Sequence, residues 1–183
     1  RFDFKEGKSY PSGKRISLKE KEILIMEGIH ALDPAMVPDV DSSRIFRVYA
    51  SALTSLNVDE NNNISTSDNR LLRRMVRDNR VRGITPEDTI MRWHSVRRGE
   101  NQNIFPFQEN ADAAFNSALI YELPLLKYYA EPLLRRISPS SPAYTEAVRL
   151  LKFLDYIVAL SPAEIAAIPP TSIMREFIGG QTL

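Results

Sequence analysis

The sequence has no cysteine. A disulfide framework and a thiolate metal site are therefore both excluded, in keeping with a reducing compartment. It also has almost no net charge: 24 Lys and Arg stand against 23 Asp and Glu in 183 residues, a formal +1. That balance excludes a broadly basic nucleic-acid coat. Long apolar runs are missing too, none approaching the roughly 20 residues that span a bilayer, and the opening "RFDFKEGKSYPSGKR" does not read as a signal peptide. Only two histidines occur, His30 and His94, without clustered carboxylates, so no zinc-site spacing exists. Internal repeats and low-complexity tracts are absent. The expectation is one domain with a real core, at 43% hydrophobic residues, in the cytoplasm. The first residue is Arg1 rather than Met, which suggests a piece of a longer protein.

Against that neutral background one stretch stands out. "RLLRRMVRDNRVRG", residues 70–83, holds six arginines and a single acid, Asp78. Leu71, Leu72, Met75 and Val76 repeat at helical spacing, while Arg70, Arg74 and Arg77 share one stripe and Arg73, Arg77 and Arg80 a neighbouring one. The spacing predicts a helix capped by Ser67 or Asp68 and closed by Gly83. A second helix is expected from "TPEDTIMRWHSVRRGE", with Thr85 as its cap, Pro86 in its first turn and Asp88 in the capping-box position. The positive charges of the first helix repel one another, so it needs an anion or acids from elsewhere in the chain. Arginine's planar fork suits phosphate oxygens, and distant acids are the alternative.

Other elements are coarser. "EILIMEG", residues 22–28, is a short apolar run of the kind buried on both faces of a parallel sheet. An acid at the end of such a strand is what a phosphotransferase uses to hold Mg²⁺, which makes Glu27 a metal candidate and a structural acid its plainer reading. "RIFRVYAS", residues 44–51, reads as the next strand. "NADAAFNSALIYELPLLKYYAEPLLRRI" reads as mostly helical with a break near Pro124, "SPAYTEAVRLLKFLDYIVAL" as an amphipathic helix, and "IPPTSIMREFIGG" as an irregular closing segment. A phosphate-cradling G-x-x-x-x-G-K-[ST] is not present: "EGKS" has Phe2 in place of its first glycine, and "SGKR" lacks the final Ser or Thr.

Five stretches together, "RFDFKEGK", "EILIMEGIHAL", "DNRLLRRMVRDNRVRG", "NIFPFQENADAAFNSALIYEL" and "SIMREFIGG", resemble the back part of the uridine kinase and phosphoribulokinase group of P-loop kinases. They are most similar to bacterial uridine kinase-like proteins. The resemblance implies an α/β fold, a partial Rossmann-like parallel sheet with a helical C-terminal part, in which residues 1–183 form the C-terminal portion of a nucleoside kinase domain and residues 70–98 a lid-like region. It implies ATP and Mg²⁺ as cofactors and phosphorylation of a hydroxyl on a nucleoside-like substrate, with the phosphate loop and the base lying upstream of Arg1 and the isolated chain inactive. Carried over by position, it makes Arg74 and Arg77 catalytic, Arg73 and Arg82 cofactor-binding, Glu27 a ligand of the metal, and Phe2, Phe4 and His30 substrate-binding. Uridine kinases carry a tyrosine where Phe2 stands, a histidine near Gly7, an arginine at the place of Ile84 and a glutamine where Arg92 stands, so the implied substrate departs from uridine. The other expectation is a non-catalytic module whose arginine helix holds RNA or another anion, with steep salt dependence. A packing role for Phe105 to Glu122 and for "REFIGG" is a third.

Overall fold

The computed structural model describes residues 2–3, 8–10, 13, 15–54, 60 and 64–182. Within them the chain is mixed α/β, with six α-helices and two small sheets. Strands β1 (Phe2–Asp3) and β2 (Lys8–Ser9) form a minimal antiparallel pair. Strands β3 (Val48–Ser51) and β4 (Ala113–Asn116) run parallel, with Val48 opposite Ala113 and Ser51 opposite Asn116. Between these two strands the chain forms α1 (Thr66–Arg82) and α2 (Pro86–Asn103), as a parallel crossover requires. After β4 come α3 (Glu122–Leu134), α4 (Tyr144–Leu154), α5 (Pro162–Ala167) and the one-turn α6 (Arg175–Ile178).

The core is helical. Leu71, Leu72, Met75 and Val76 of α1 pack with Leu125, Leu126, Ala130 and Leu134 of α3, Leu150 and Leu154 of α4, and Met174 and Phe177 of the closing segment. Helix α1 touches α2, α3 and α6, so the arginine helix is a central element whose apolar stripe anchors it. Its start is tied to α4, where Arg149 bonds Asp68 and Glu146, each at 2.7 Å. Those two carboxylates, Glu146 first, hold the Arg149 guanidinium above its ordinary arginine range. Lys127 of α3 donates to the carbonyls of Leu154 and Ile157, both at 2.8 Å, closing the C-terminal end of α4.

Local capping follows the sequence closely, with one shift. Gly83 closes α1 in the left-handed conformation at φ 64°, where a Cβ would be strained. Thr85 caps α2 by accepting from the Asp88 amide at 3.0 Å, with Pro86 in the first turn. The cap of α1 is Ser65 rather than Ser67 or Asp68, its hydroxyl accepting from the Asp68 amide. Pro124 does not break α3. It falls in the first turn, where its missing N–H costs nothing, and the expected helix is interrupted earlier, by β4 and the turns from Ser117 to Tyr121.

The largest correction concerns residues 22–28. The apolar run expected as a doubly buried strand is neither a strand nor buried, with Ile23 89% and Ile25 88% exposed. A strand exists only through its ladder, and among the described residues none pairs with this one. High β-propensity cannot substitute for a neighbour.

Candidate functional site

Parallel strands β3 and β4 end together. The Ser117 amide donates to the Ser51 carbonyl at 2.8 Å, and the Asn116 side chain bridges to Leu53 through both its oxygen and its nitrogen. Beside these carboxyl ends lies a cleft of about 260 Å³, walled by Ala50, Ser51, Ala52 and Ser117 from the sheet and by Arg70, Arg73, Arg74 and Arg77 from α1. Trp93, Val96 and Glu100 of α2 and Phe177 of α6 complete it. Ligands of open α/β sheets bind at this end of the strands, and four guanidiniums from one helix face the space.

Each guanidinium is held differently. Arg73 is buried and its Nε and one terminal nitrogen both bond the Glu122 carboxylate, which is itself buried at the start of α3. Arg70 reaches Glu100 of α2 at 2.5 Å. Arg74 forms an ion pair with Asp78, its Nε 3.2 Å from the carboxylate, and no hydrogen bond among the described residues engages its terminal nitrogens. Arg77 contacts Asp78 at 3.5 Å and Glu176 at 3.1 Å. The remaining two arginines of α1 stand outside the cleft: Arg82 bonds Asp78 at 3.0 Å, and Arg80 donates to the Phe177 and Glu176 carbonyls at 3.0 and 2.8 Å. Five of the six guanidiniums thus meet four carboxylates, while Arg80 meets only backbone carbonyls, so α1 carries more positive charge than its acid partners balance.

The closing segment "REFIGG" is part of this arrangement. The Phe177 ring lies 5.1 Å from the Arg73 guanidinium carbon and 5.8 Å from that of Arg77, a geometry in which the ring face attracts both cations. Gly179, at φ 96°, passes so close to Arg80 that a Cβ would stand 3.2 Å from its Nη1. Helix α6 therefore grips three of the six arginines.

Asp78 is the shared counter-ion, almost wholly buried while its three partners remain partly exposed. An anion entering the cleft competes with it for the Arg74 and Arg77 forks. We expect Asp78→Asn to lower stability by roughly 1.5–3 kcal/mol in dilute buffer, the range for a hydrogen-bonded charge. The deficit should shrink when tripolyphosphate is added, because the anion takes the carboxylate's place. Urea unfolding with and without tripolyphosphate checks this, and an equal deficit in both would show that the two do not compete.

The cleft thus assembles Arg73, Arg74 and Arg77 of the sequence candidates, and leaves out the others. Arg82 lies one turn beyond it. Glu27 and His30 are exposed in the segment before β3 and do not line it, and His94 is exposed on α2. Phe2 sits on β1, and Phe4 lies outside the described residues. Magnesium takes one or two carboxylates together with substrate phosphates and keeps several waters. Glu27, alone and outside the cleft lining, does not combine with the arginines into such a site, and among the described residues no group of three His, Asp or Glu could hold a metal ion. Residue patterns did not single out Glu100, Glu122, Glu176, Phe177 or Trp93, because their partners on α1 are remote in sequence.

No family model, no curated protein and no solved structure matches the chain.

Proposed function

We propose that this chain is the phosphate-gripping portion of an ATP-dependent kinase of the uridine kinase and phosphoribulokinase type, acting on a hydroxyl of a nucleoside-like substrate. The observation that carries the reading is the cleft at the carboxyl ends of β3 and β4, lined by Arg70, Arg73, Arg74 and Arg77 of a single helix. Phosphoryl transfer spreads negative charge over equatorial oxygens, and guanidiniums already fixed in place stabilise that charge without reorganising. In this reading Arg74 makes the principal contact, its terminal nitrogens open to a phosphate, and Arg77 assists. Arg73, committed to Glu122, positions the helix. ATP supplies the transferred group when bound. The sequence contains no G-x-x-x-x-G-K-[ST], so residues 1–183 by themselves are expected to bind polyphosphate without turning over.

Calorimetric titration of the chain with tripolyphosphate and with ATP tests this. Arg74→Lys keeps the charge and loses the fork, and it is expected to weaken both ligands by about one to two orders of magnitude, the equivalent of one charge-assisted contact. Arg82→Lys, outside the cleft, should leave both unchanged. Equal small losses at the two positions, with RNA bound tightly and with a steep salt dependence instead, would favour the nucleic-acid module.

A further inference from the structure

Trp93 is the only tryptophan of the chain, and gripping phosphate does not call for it. It stands on α2 as part of the cleft wall, with Val96 one turn further along the same helix, and shares the cleft with the four guanidiniums of α1. The indole packs against the buried core on one side and keeps part of its surface accessible. Its ring N–H donates to the Ser67 hydroxyl of α1 at 3.3 Å, and Arg97 donates to the same oxygen at 2.9 Å. The polar edge of the indole is therefore spent on α1, which fixes the ring, and what remains for the cleft is aromatic surface.

The lining thus has a cationic part and an apolar part. An inorganic polyphosphate occupies the guanidiniums and leaves Trp93 and Val96 against water. A phosphate ester of a flat heterocycle covers both, because stacking on an indole adds to plain area burial and every nucleobase has a face to stack. The spacing along α1 agrees. Ser67, where the indole is anchored, and Arg74, whose terminal nitrogens are open, lie two turns apart, about 10 Å at 1.5 Å of rise per residue, a stretch that a ribose with its phosphates bridges. At about 260 Å³ the cleft approaches the lower end of small-molecule site volumes, roughly 300 Å³. No other cavity is needed.

We propose that Trp93 is the base-stacking wall of the arginine cleft, so that its ligand is a nucleoside polyphosphate, with the base on the indole and the phosphates toward Arg74 and Arg77. This rests on the reading of the cleft as a phosphate site. The test compares ATP with tripolyphosphate on the chain, on Trp93→Leu and on Trp93→Phe, by calorimetry. Both ligands carry three phosphates, and the ester carries one charge fewer, so charge alone favours tripolyphosphate. ATP should nonetheless bind about 10-fold tighter, within the range of a single aromatic stack on a base. Trp93→Leu should abolish that preference and keep tripolyphosphate affinity, while Trp93→Phe, which retains a ring face, should keep part of it. Fluorescence of the unaltered chain gives a second reading that needs no variant to fold: ATP should quench the single indole, and tripolyphosphate should leave its emission nearly unchanged. Equal affinity for the two ligands, a preference that survives Trp93→Leu, or equal quenching by both overturns the proposal and leaves the phosphate site standing. Failure of the phosphate site has a different mark, since tripolyphosphate then does not bind the unaltered chain, and the proposal falls with it.

Discussion

Glu122→Gln lowers the free energy of unfolding by about 3–5 kcal/mol, the cost of removing one partner from a buried ion pair. The Glu122 side chain is 2% exposed and that of Arg73 10%, so solvent screens neither. Glutamine keeps the shape but cannot neutralise a guanidinium that Glu122 meets through both carboxylate oxygens. The Arg73 charge is then left between the Ser117 carbonyl at 3.4 Å and the Phe177 ring, neither of which balances it. Urea unfolding measures the loss. Replacing both partners, as Arg73→Met with Glu122→Leu, should recover most of it, since burying two apolar chains avoids two desolvated charges. A double variant as unstable as Glu122→Gln would mean that the carboxylate matters through its bond from the Leu119 amide rather than through its charge.

Phe177→Ala is expected to cost about 3–5 kcal/mol as a buried aromatic truncation. Its ring is 6% exposed and belongs to the same core as Leu71, Leu72 and Met75. Loss of packing is one part of the effect. The other reaches the cleft, because the ring lies over the Arg73 and Arg77 guanidiniums. Phe177→Leu separates the two: leucine refills much of the volume and has no ring face. It should therefore recover most of the stability while tripolyphosphate affinity stays below that of the parent. Recovery of both would show that α6 acts by filling space alone.

Much of α1 was legible before any tertiary structure. Its apolar stripe, its left-handed Gly83 and the following Thr85–Pro86 start depend on neighbours within four residues, and such contacts are written in local spacing. The need for counter-ions was legible too, since Asp78 is the only acid in a stretch of six arginines. Which carboxylates answer that need was not. Glu122 stands 49 residues from Arg73 and Glu176 stands 99 from Arg77, and no spacing rule operates over such separations.

The strands divide the same way. "RIFRVYAS" carries the β-branched and aromatic residues of a strand and contains β3, whereas "EILIMEG", with its own β-branched Ile23 and Ile25, is exposed and pairs with no strand among the described residues. Composition sets a preference for extended backbone, but hydrogen bonds from another strand decide whether a sheet forms. Asn69 is the same lesson in burial. In the sequence it is a polar residue in the first turns of an arginine-rich helix, indistinguishable from a solvated position. Packing of α1 against α3 is what buries it and leaves its amide without a hydrogen-bond partner among the described residues. The sequence by itself determined a central amphipathic helix with excess positive charge and the caps that bound it, because those are local properties. Only the tertiary structure decided which arginines are spent on carboxylates and that Arg74 keeps its terminal nitrogens open, because burial and pairing are set by residues far apart in the chain.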